Sequence, residues 1–411
     1  MNKISAMAHS LRVMRQIVFL VGIVVMPYVA GQHAFAPMEV PRNIFIQWWS
    51  LFFLLLTAAL LFLDDTRRKT PKLFLFALFL YALSLVISAF LGVDLQQSMF
   101  GNPYRWDGLQ IYFALFGLAG SLAIYPLKFS LFQFSLILSA NAVLLSLFTA
   151  IEIFQYVPSM GLIPALTTVE ARAFFGGPNF LAGYLAITLP FTFYLSVSRT
   201  TAVSVAKILL LAIHGVGLLL TRSWGGSLAA FAALCGLFFM ISRTYRLFAI
   251  SLFLFGIIVS FSIYMGNIYL PLRRASIDML VHPESRERIM VKAWRAFQQR
   301  PVFGWGWANF DHAFASIEWP FHVDADVYAD KAHSVFLEII VTAGIFGLCS
   351  YLILLFSVFE SLRKNISIQS RYFALFFIVY LIHSQTNVVP MAEETLFWAI
   401  TGLVVGQSVD A

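Results

Sequence analysis

Apolar runs long enough to cross a bilayer recur along almost the whole chain, and no other feature narrows its folding options so far. A hydrocarbon core about 30 Å thick takes roughly 20 helical residues. Twelve stretches approach that length: 14–31, 44–63, 73–92, 109–126, 130–154, 177–197, 205–221, 226–242, 247–266, 334–359, 371–388 and 391–408. Inside lipid every backbone N–H and C=O must find a partner, which leaves helices or closed barrels, and the runs lack the period-two alternation of barrel strands. The expected fold is all-α and integral to a membrane, a single polytopic domain over residues 1–411 with about twelve transmembrane helices.

Composition agrees. With 60% hydrophobic and 11% charged residues, the chain carries more apolar surface than one globular core could hide, so the bilayer is its main solvent. A net charge of +7 would suggest nucleic acid for a soluble protein; here the basic residues are sorted by membrane side first, and no nucleic-acid partner is expected. Arg67, Arg68, Lys69, Lys72, Lys128, Arg199, Lys207, Arg243, Arg246, Arg363, Lys364 and Arg371 fall in short loops on one side, which the positive-inside bias makes cytoplasmic. Lys3, Arg12 and Arg15 put the N-terminus on that side, and an even number of spans returns the C-terminus there. Ala34-Phe35-Ala36 resembles a signal-peptide cleavage site, but a cut there would fall before Pro37 and spoil this agreement. Cys235 and Cys349 sit in apolar stretches and read as two buried thiols.

On the opposite face one long excursion, residues 266–333, separates the ninth and tenth runs and exceeds an ordinary connection, which marks it as functional. Residues 283–297 within it read as an amphipathic helix lying along the membrane surface, followed by an Arg-Pro break and a Gly304-Trp305-Gly306-Trp307 turn.

That face also gathers Arg105, Arg172, Arg222, Arg273, Arg274, Arg286, Arg288, Lys292, Arg295, Arg300 and Lys331, against the usual bias. Guanidinium forks match phosphate oxygens, so the cluster suggests an anionic group at the bilayer surface, such as a lipid-linked pyrophosphate. Pairing with Asp278, Glu284, Glu287, Asp311, Glu318, Asp324, Asp326 and Asp330 is the plainer account of any single loop arginine. It fits Arg222 least, since that residue sits between two runs with almost no loop. Arg172 precedes Gly176-Gly177-Pro178-Asn179, where Asn179 serves either a ligand or an ordinary helix start. His333 stands where the long loop re-enters the membrane and can exchange protons there; Glu338, five residues on, needs a partner. No zinc spacing, Walker-type loop or dinucleotide fingerprint is present, so no metal, nucleotide or other cofactor is expected.

Taken in order, Gly101-Asn102-Pro103-Tyr104-Arg105-Trp106-Asp107-Gly108, Arg172 to Gly183, Thr221-Arg222-Ser223, Arg288 with Trp294, Pro301 to Gly306, His333-Ser334 with Leu337-Glu338, and Gly344 to Leu348 resemble the O-antigen ligase and polymerase superfamily, the WaaL-like or Wzy-C group. One departure is Trp224, which stands where the family commonly has arginine, with Arg222 two residues earlier. The resemblance implies a metal-independent, inverting, GT-C-like glycosyltransferase in the bacterial inner membrane, with its site facing the periplasm. It would move a glycan from undecaprenyl diphosphate to lipid A-core or, as a polymerase or protein glycosyltransferase, to another glycan or a protein. On that reading Arg222 and Arg288 hold the diphosphate with help from Arg172, His333 activates the acceptor hydroxyl or organises the leaving group, and Arg105, Asn179 and Glu338 contact substrate. A small-solute transporter is the reading from another class; it would place ionisable residues at mid-bilayer and often repeat its halves.

Overall fold

The computed structural model describes residues 3–32, 36–63, 70–127, 129–197, 204–241, 286–318 and 329–410. The predicted ninth run, 247–266, lies outside them, as do Arg273, Arg274, Asp278, Glu284, Asp324 and Asp326. Sixteen helices and one 3-10 turn, Met26–Tyr28, make up the regular structure of the described residues, which contain no strand. In chain order they are α1 Lys3–Val25, α2 Glu39–Leu63, α3 Lys72–Leu91, α4 Leu95–Phe100, α5 Leu109–Ile124, α6 Leu131–Phe154, α7 Val157–Met160, α8 Leu162–Thr168, α9 Pro178–Val197, α10 Ser204–Leu220, α11 Trp224–Ile241, α12 Arg286–Gln299, α13 Phe310–Ser316, α14 Val335–Lys364, α15 Ile368–His383 and α16 Met391–Asp410.

A helix occupies each of the eleven predicted runs that fall among the described residues. Among the described residues five helices are long and apolar enough to cross a membrane: Ala6–Tyr28, Glu39–Leu63, Lys72–Leu91, Leu131–Met160 and Val335–Lys364. The chain is thus a multi-pass membrane protein whose described residues are all-helical. The run 371–388 ends as a helix at His383, because Ser384, Thr386 and Asn387 turn back onto the last carbonyls and Pro390 precedes the next helix. Cys235 is buried as expected, but Cys349 is exposed on α14, since an apolar run in this chain presents one face outward rather than burying every residue.

Within the bundle α16 lies along α5, α14 along α3, and α9 is enclosed by α6, α10, α11 and α15. α16 comes close to α5 at Gly402 and Gly406, where a Cβ would stand 2.4 Å from the Ala119 carbonyl oxygen and 2.5 Å from that of Leu122. Small residues four apart let two backbones meet where lipid supplies no hydrophobic drive to associate. Gly402→Val should push α16 off α5 and lower stability by about 1–3 kcal/mol, read as an earlier thermal midpoint in detergent; an unchanged midpoint would mean the seam is slack.

The second structural device is a break in α14. Gly344 has φ 68° and ψ −169°, so the helix opens and frees backbone groups well inside it. The Pro301–Trp307 segment fills the opening. Trp305 and Gly306 donate backbone N–H to the carbonyls of Val341 and Thr342 (3.0 and 2.9 Å), and Ile345 and Phe346 donate to those of Pro301 and Val302 (2.8 and 3.3 Å). Ser88 of α3 donates to the Thr342 carbonyl as well, at 2.6 Å. Irregular backbone at membrane depth persists only where protein re-satisfies it, and here each freed group named has found a partner.

Candidate functional site

Hydrogen bonds fix one end of the bundle as a continuous structure. Arg42, fully buried in the first turn of α2, is 2.9 Å from Glu39 and donates to the carbonyls of Met26, Pro27 and Phe174. Asn43 donates to the Arg105 carbonyl, Gln97 to that of Ala308, and Val335 N–H to that of Ser384. A Cβ on Gly225 would strike Asn387, so the α10–α11 turn abuts the α15–α16 turn. The described residues of the motifs singled out in the sequence therefore lie at this end or run from it into the bundle.

The turn between α4 and α5 is the hub. Gly101, at φ 82°, ends α4, and a Cβ there would stand 2.3 Å from the Asp107 nitrogen. Beyond it Asp107 faces one cavity and Tyr104 and Arg105 face a second. The first spans about 560 Å³, part of it open to solvent, and is lined by Asp107, Lys331, His333, Glu338 and Glu394, with Tyr112 and Trp307 stacked edge-on at 4.8 Å in its wall. Lys331 Nζ lies 2.8 Å from Asp107 Oδ2 and 3.5 Å from Glu338 Oε1. Burial alone would lower the pKa of this lysine, but Asp107 and Glu338 outweigh it and raise it, so the ammonium persists. Glu338 Oε2 also accepts the Ala332 N–H at 2.8 Å.

Deeper in, Glu394 accepts from the Tyr380 hydroxyl at 2.8 Å and the Trp398 indole N–H at 3.1 Å. Beside it His383 and Glu393, both fully buried, pair at 3.0 Å, and Asn387 reaches the other ring nitrogen of His383 at 3.3 Å. Gly183 of α9 leaves room for this pair, since a Cβ would stand 2.1 Å from the imidazole.

The second cavity spans about 920 Å³, part of it open to solvent, and is lined by Glu39, Tyr104, Arg105, Glu152, Arg172 and Asp330, among others. Arg105 forms an ion pair with Asp330 and lies over the Phe180 ring at 5.5 Å. Burial would raise the Asp330 pKa, but the adjoining Arg105 guanidinium more than offsets this and holds it below the usual carboxylate range. Glu152 Oε2 accepts the N–H groups of Arg172 and Ala173 at 2.9 and 2.7 Å. A carboxylate whose folded pKa is depressed stabilises the fold above its unfolded value, near 4, and that contribution is lost as pH falls through the folded value. The thermal midpoint should accordingly fall more steeply below about pH 4 in the parent than in Asp330→Asn; identical acid limbs for the two proteins would remove Asp330 from this account.

The structure thus brings His333 and Glu338 together in the first cavity, and Arg105 and Arg172 in the second. Asn179 follows Pro178 at the start of α9, lines neither cavity and makes no side-chain hydrogen bond with the described residues. Arg288 lies outside both linings too. With Lys292 it occupies the buried face of α12, over the Phe314 ring at 5.9 Å, with Lys292 at 3.9 Å. That face, with Ile289, Ala293 and Ala296, packs on α13 and α14, so two cations of the predicted amphipathic helix point inward while Trp294 is exposed. Arg222 is exposed in the α10–α11 turn, three residues before Gly225. Sequence reasoning counted Lys331 only among the clustered cations and passed over Asp107, Arg42, His383, Glu393 and Glu394 as site residues; two adjacent acids opening an apolar run, and a histidine within another, are the signal that could have found the last three.

One further observation unites the motifs. Among the described residues the non-glycine positions with positive φ are Trp106, Ala173, Arg222, Ala308 and His333, with φ between 45° and 61°. All five lie at this one end. Residues 184–352 match the protein-family model Wzy_C, described as O-Antigen ligase. The match contains Arg222, Arg288, His333 and Glu338, whereas Asp107, Glu394 and most of the second cavity's lining lie outside it. A search of curated proteins finds no match.

Proposed function

We propose, for a chain that belongs to the O-antigen ligase superfamily through residues 184–352, that it is a metal-independent, inverting glycosyltransferase of GT-C-like design. It takes a glycan from undecaprenyl diphosphate and joins it to lipid A-core at the periplasmic face of the bacterial inner membrane, with about twelve spans and both termini cytoplasmic. The observation that carries this reading is the set of left-handed backbone positions, two of which are Arg222 and His333 themselves. Non-glycine residues hold such conformations, at about 1–3 kcal/mol each, only where the surroundings over-determine them, and they concentrate at sites of chemistry.

In the proposed reaction the acceptor hydroxyl oxygen attacks the anomeric carbon from the face opposite the diphosphate. The carbon–oxygen bond to the diphosphate breaks, its electron pair leaves on the phosphate oxygen, and the hydroxyl proton passes to His333. Glu338 and Asp107 hold Lys331 as an ammonium beside that histidine. Arg222 and Arg288 meet the charge developing on the departing diphosphate, an electrostatic role for fixed donors. Arg172, Arg105 and Asn179 contact the remainder of the donor or acceptor.

A polymerase shares the donor chemistry and differs only in the acceptor. The transporter reading draws less support, since Glu338, Glu393 and Glu394 lie in first helical turns and His383 in a last one, near the helix ends rather than midway. The test is reconstitution of the purified chain in liposomes with an undecaprenyl-diphosphate glycan and lipid A-core, without nucleotide and with a chelator. Glycan-bearing core is the expected product. Lengthening lipid-linked chains would make the protein a polymerase, and no transfer to any acceptor would overturn the glycosyltransferase reading.

A further inference from the structure

We propose that the second cavity seats the sugar rings of the transferred glycan and takes a polyhydroxylated, net-neutral oligosaccharide rather than a phosphate; this rests on the glycosyltransferase reading above. The case begins with charge. Three carboxylates, Glu39, Glu152 and Asp330, and two guanidiniums, Arg105 and Arg172, line the space. Arg105 is committed to Asp330 through Nε and Nη2, so one guanidinium fork remains. A diphosphate offers only acceptor oxygens. Here it would meet a single available fork beside the Glu152 carboxylate, with Asp330 and Glu39 already neutralised by Arg105 and Arg42, so the lining offers no excess of positive charge to hold its negative charges.

Sugar rings present the opposite demand. Each hydroxyl both donates and accepts, and the cavity holds both kinds of partner side by side. Glu39 binds Arg42 through Oε1 and Glu152 accepts its two N–H groups through Oε2, which leaves Glu39 Oε2 and Glu152 Oε1 as acceptors without a hydrogen bond among the described residues. The Arg172 side chain is exposed and its guanidinium makes no hydrogen bond with the described residues. Tyr104, 45% exposed at the rim, supplies a flat apolar face for the C–H side of a ring. The partition from the first cavity is thin: Asp330 lines one side and Lys331 the other, and likewise Arg105 and Asp107. A glycan seated here can therefore direct its reducing-end carbon towards His333.

The probe is the oligosaccharide released by mild acid from the cells' own lipid-linked pool, which has the correct sugars without lipid or phosphate. Saturation-transfer NMR on the full-length protein in nanodiscs should show transfer to its ring protons, undiminished by excess inorganic pyrophosphate. Tyr104→Ala and Glu152→Gln, each checked for an unchanged elution volume and thermal midpoint, should weaken binding about tenfold, the loss of one charge-assisted or stacking contact. Absence of transfer in the parent protein, displacement by pyrophosphate, or equal binding by both variants would overturn the subsite. If binding behaves as expected but the parent transfers no glycan, the functional reading fails and the subsite stands; if transfer proceeds with no oligosaccharide signal, the reverse holds.

Discussion

His333→Ala should lower glycan transfer by about 10²–10⁴-fold while leaving insertion and thermal stability near those of the parent, because a positioned acid or base contributes on that scale. The size follows from what the side chain faces. His333 lines the first cavity together with the clamped Lys331 ammonium and Glu338, and its backbone, at φ 56°, leads into Ser334, which caps α14 and donates to Gln385 at 2.7 Å. Alanine keeps the left-handed strain and removes the imidazole. His333→Gly removes both, since glycine adopts positive φ freely. If imidazole chemistry is what matters, the two variants lose activity equally. A glycine variant that recovers most of the rate would assign His333 a backbone role and end its candidacy as the base.

Gly344→Ala and Gly304→Ala should each remove about 2–5 kcal/mol of stability, summing left-handed strain of 1–2 with overpacking of 1–3. Gly344 has φ 68° and Gly304 φ 74°, and the two segments face each other across the break in α14. A Cβ on Gly344 would stand 2.2 Å from the Val302 carbonyl oxygen, and one on Gly304 would stand 2.3 Å from that of Thr342. Both neighbours are backbone held by hydrogen bonds and cannot swing aside. The measurement is the yield of monodisperse protein and its thermal midpoint in detergent. A variant at either position that matches the parent would show that the 301–307 segment need not enter the break.

What the sequence made legible follows from range. Helices could be read because a span is a local property: some twenty apolar residues in succession are enough, and α14, α5 and α16 were visible without reference to anything else. The residues at the glycine turns and His333 were legible through their order. Their partners were not, since Arg105 pairs with a residue 225 positions away and Ser88 bonds a carbonyl 254 positions away. The arginine cluster shows the same limit. Its members look alike in sequence, yet Arg105 is neutralised by Asp330, Arg288 is buried over Phe314, and Arg222 is exposed in a turn. Glu393 and Glu394 were hidden by their apolar neighbours, within which two carboxylates scarcely alter the mean hydropathy.

The pairing of residues 301–306 with the opened turn of α14 also governs biogenesis. During synthesis the 301–307 strip leaves the ribosome before Val335–Lys364 does, so the plug exists before the helix that needs it. Until the strip docks, α14 enters the bilayer with bare N–H and C=O groups, each worth several kcal/mol in hydrocarbon. The segment that precedes α14 is therefore a component of the membrane-embedded fold. Excising it, or exchanging it for that of a relative to swap specificity, would strand a transmembrane helix mid-insertion unless the Pro301–Trp307 strip travels with its own Gly344.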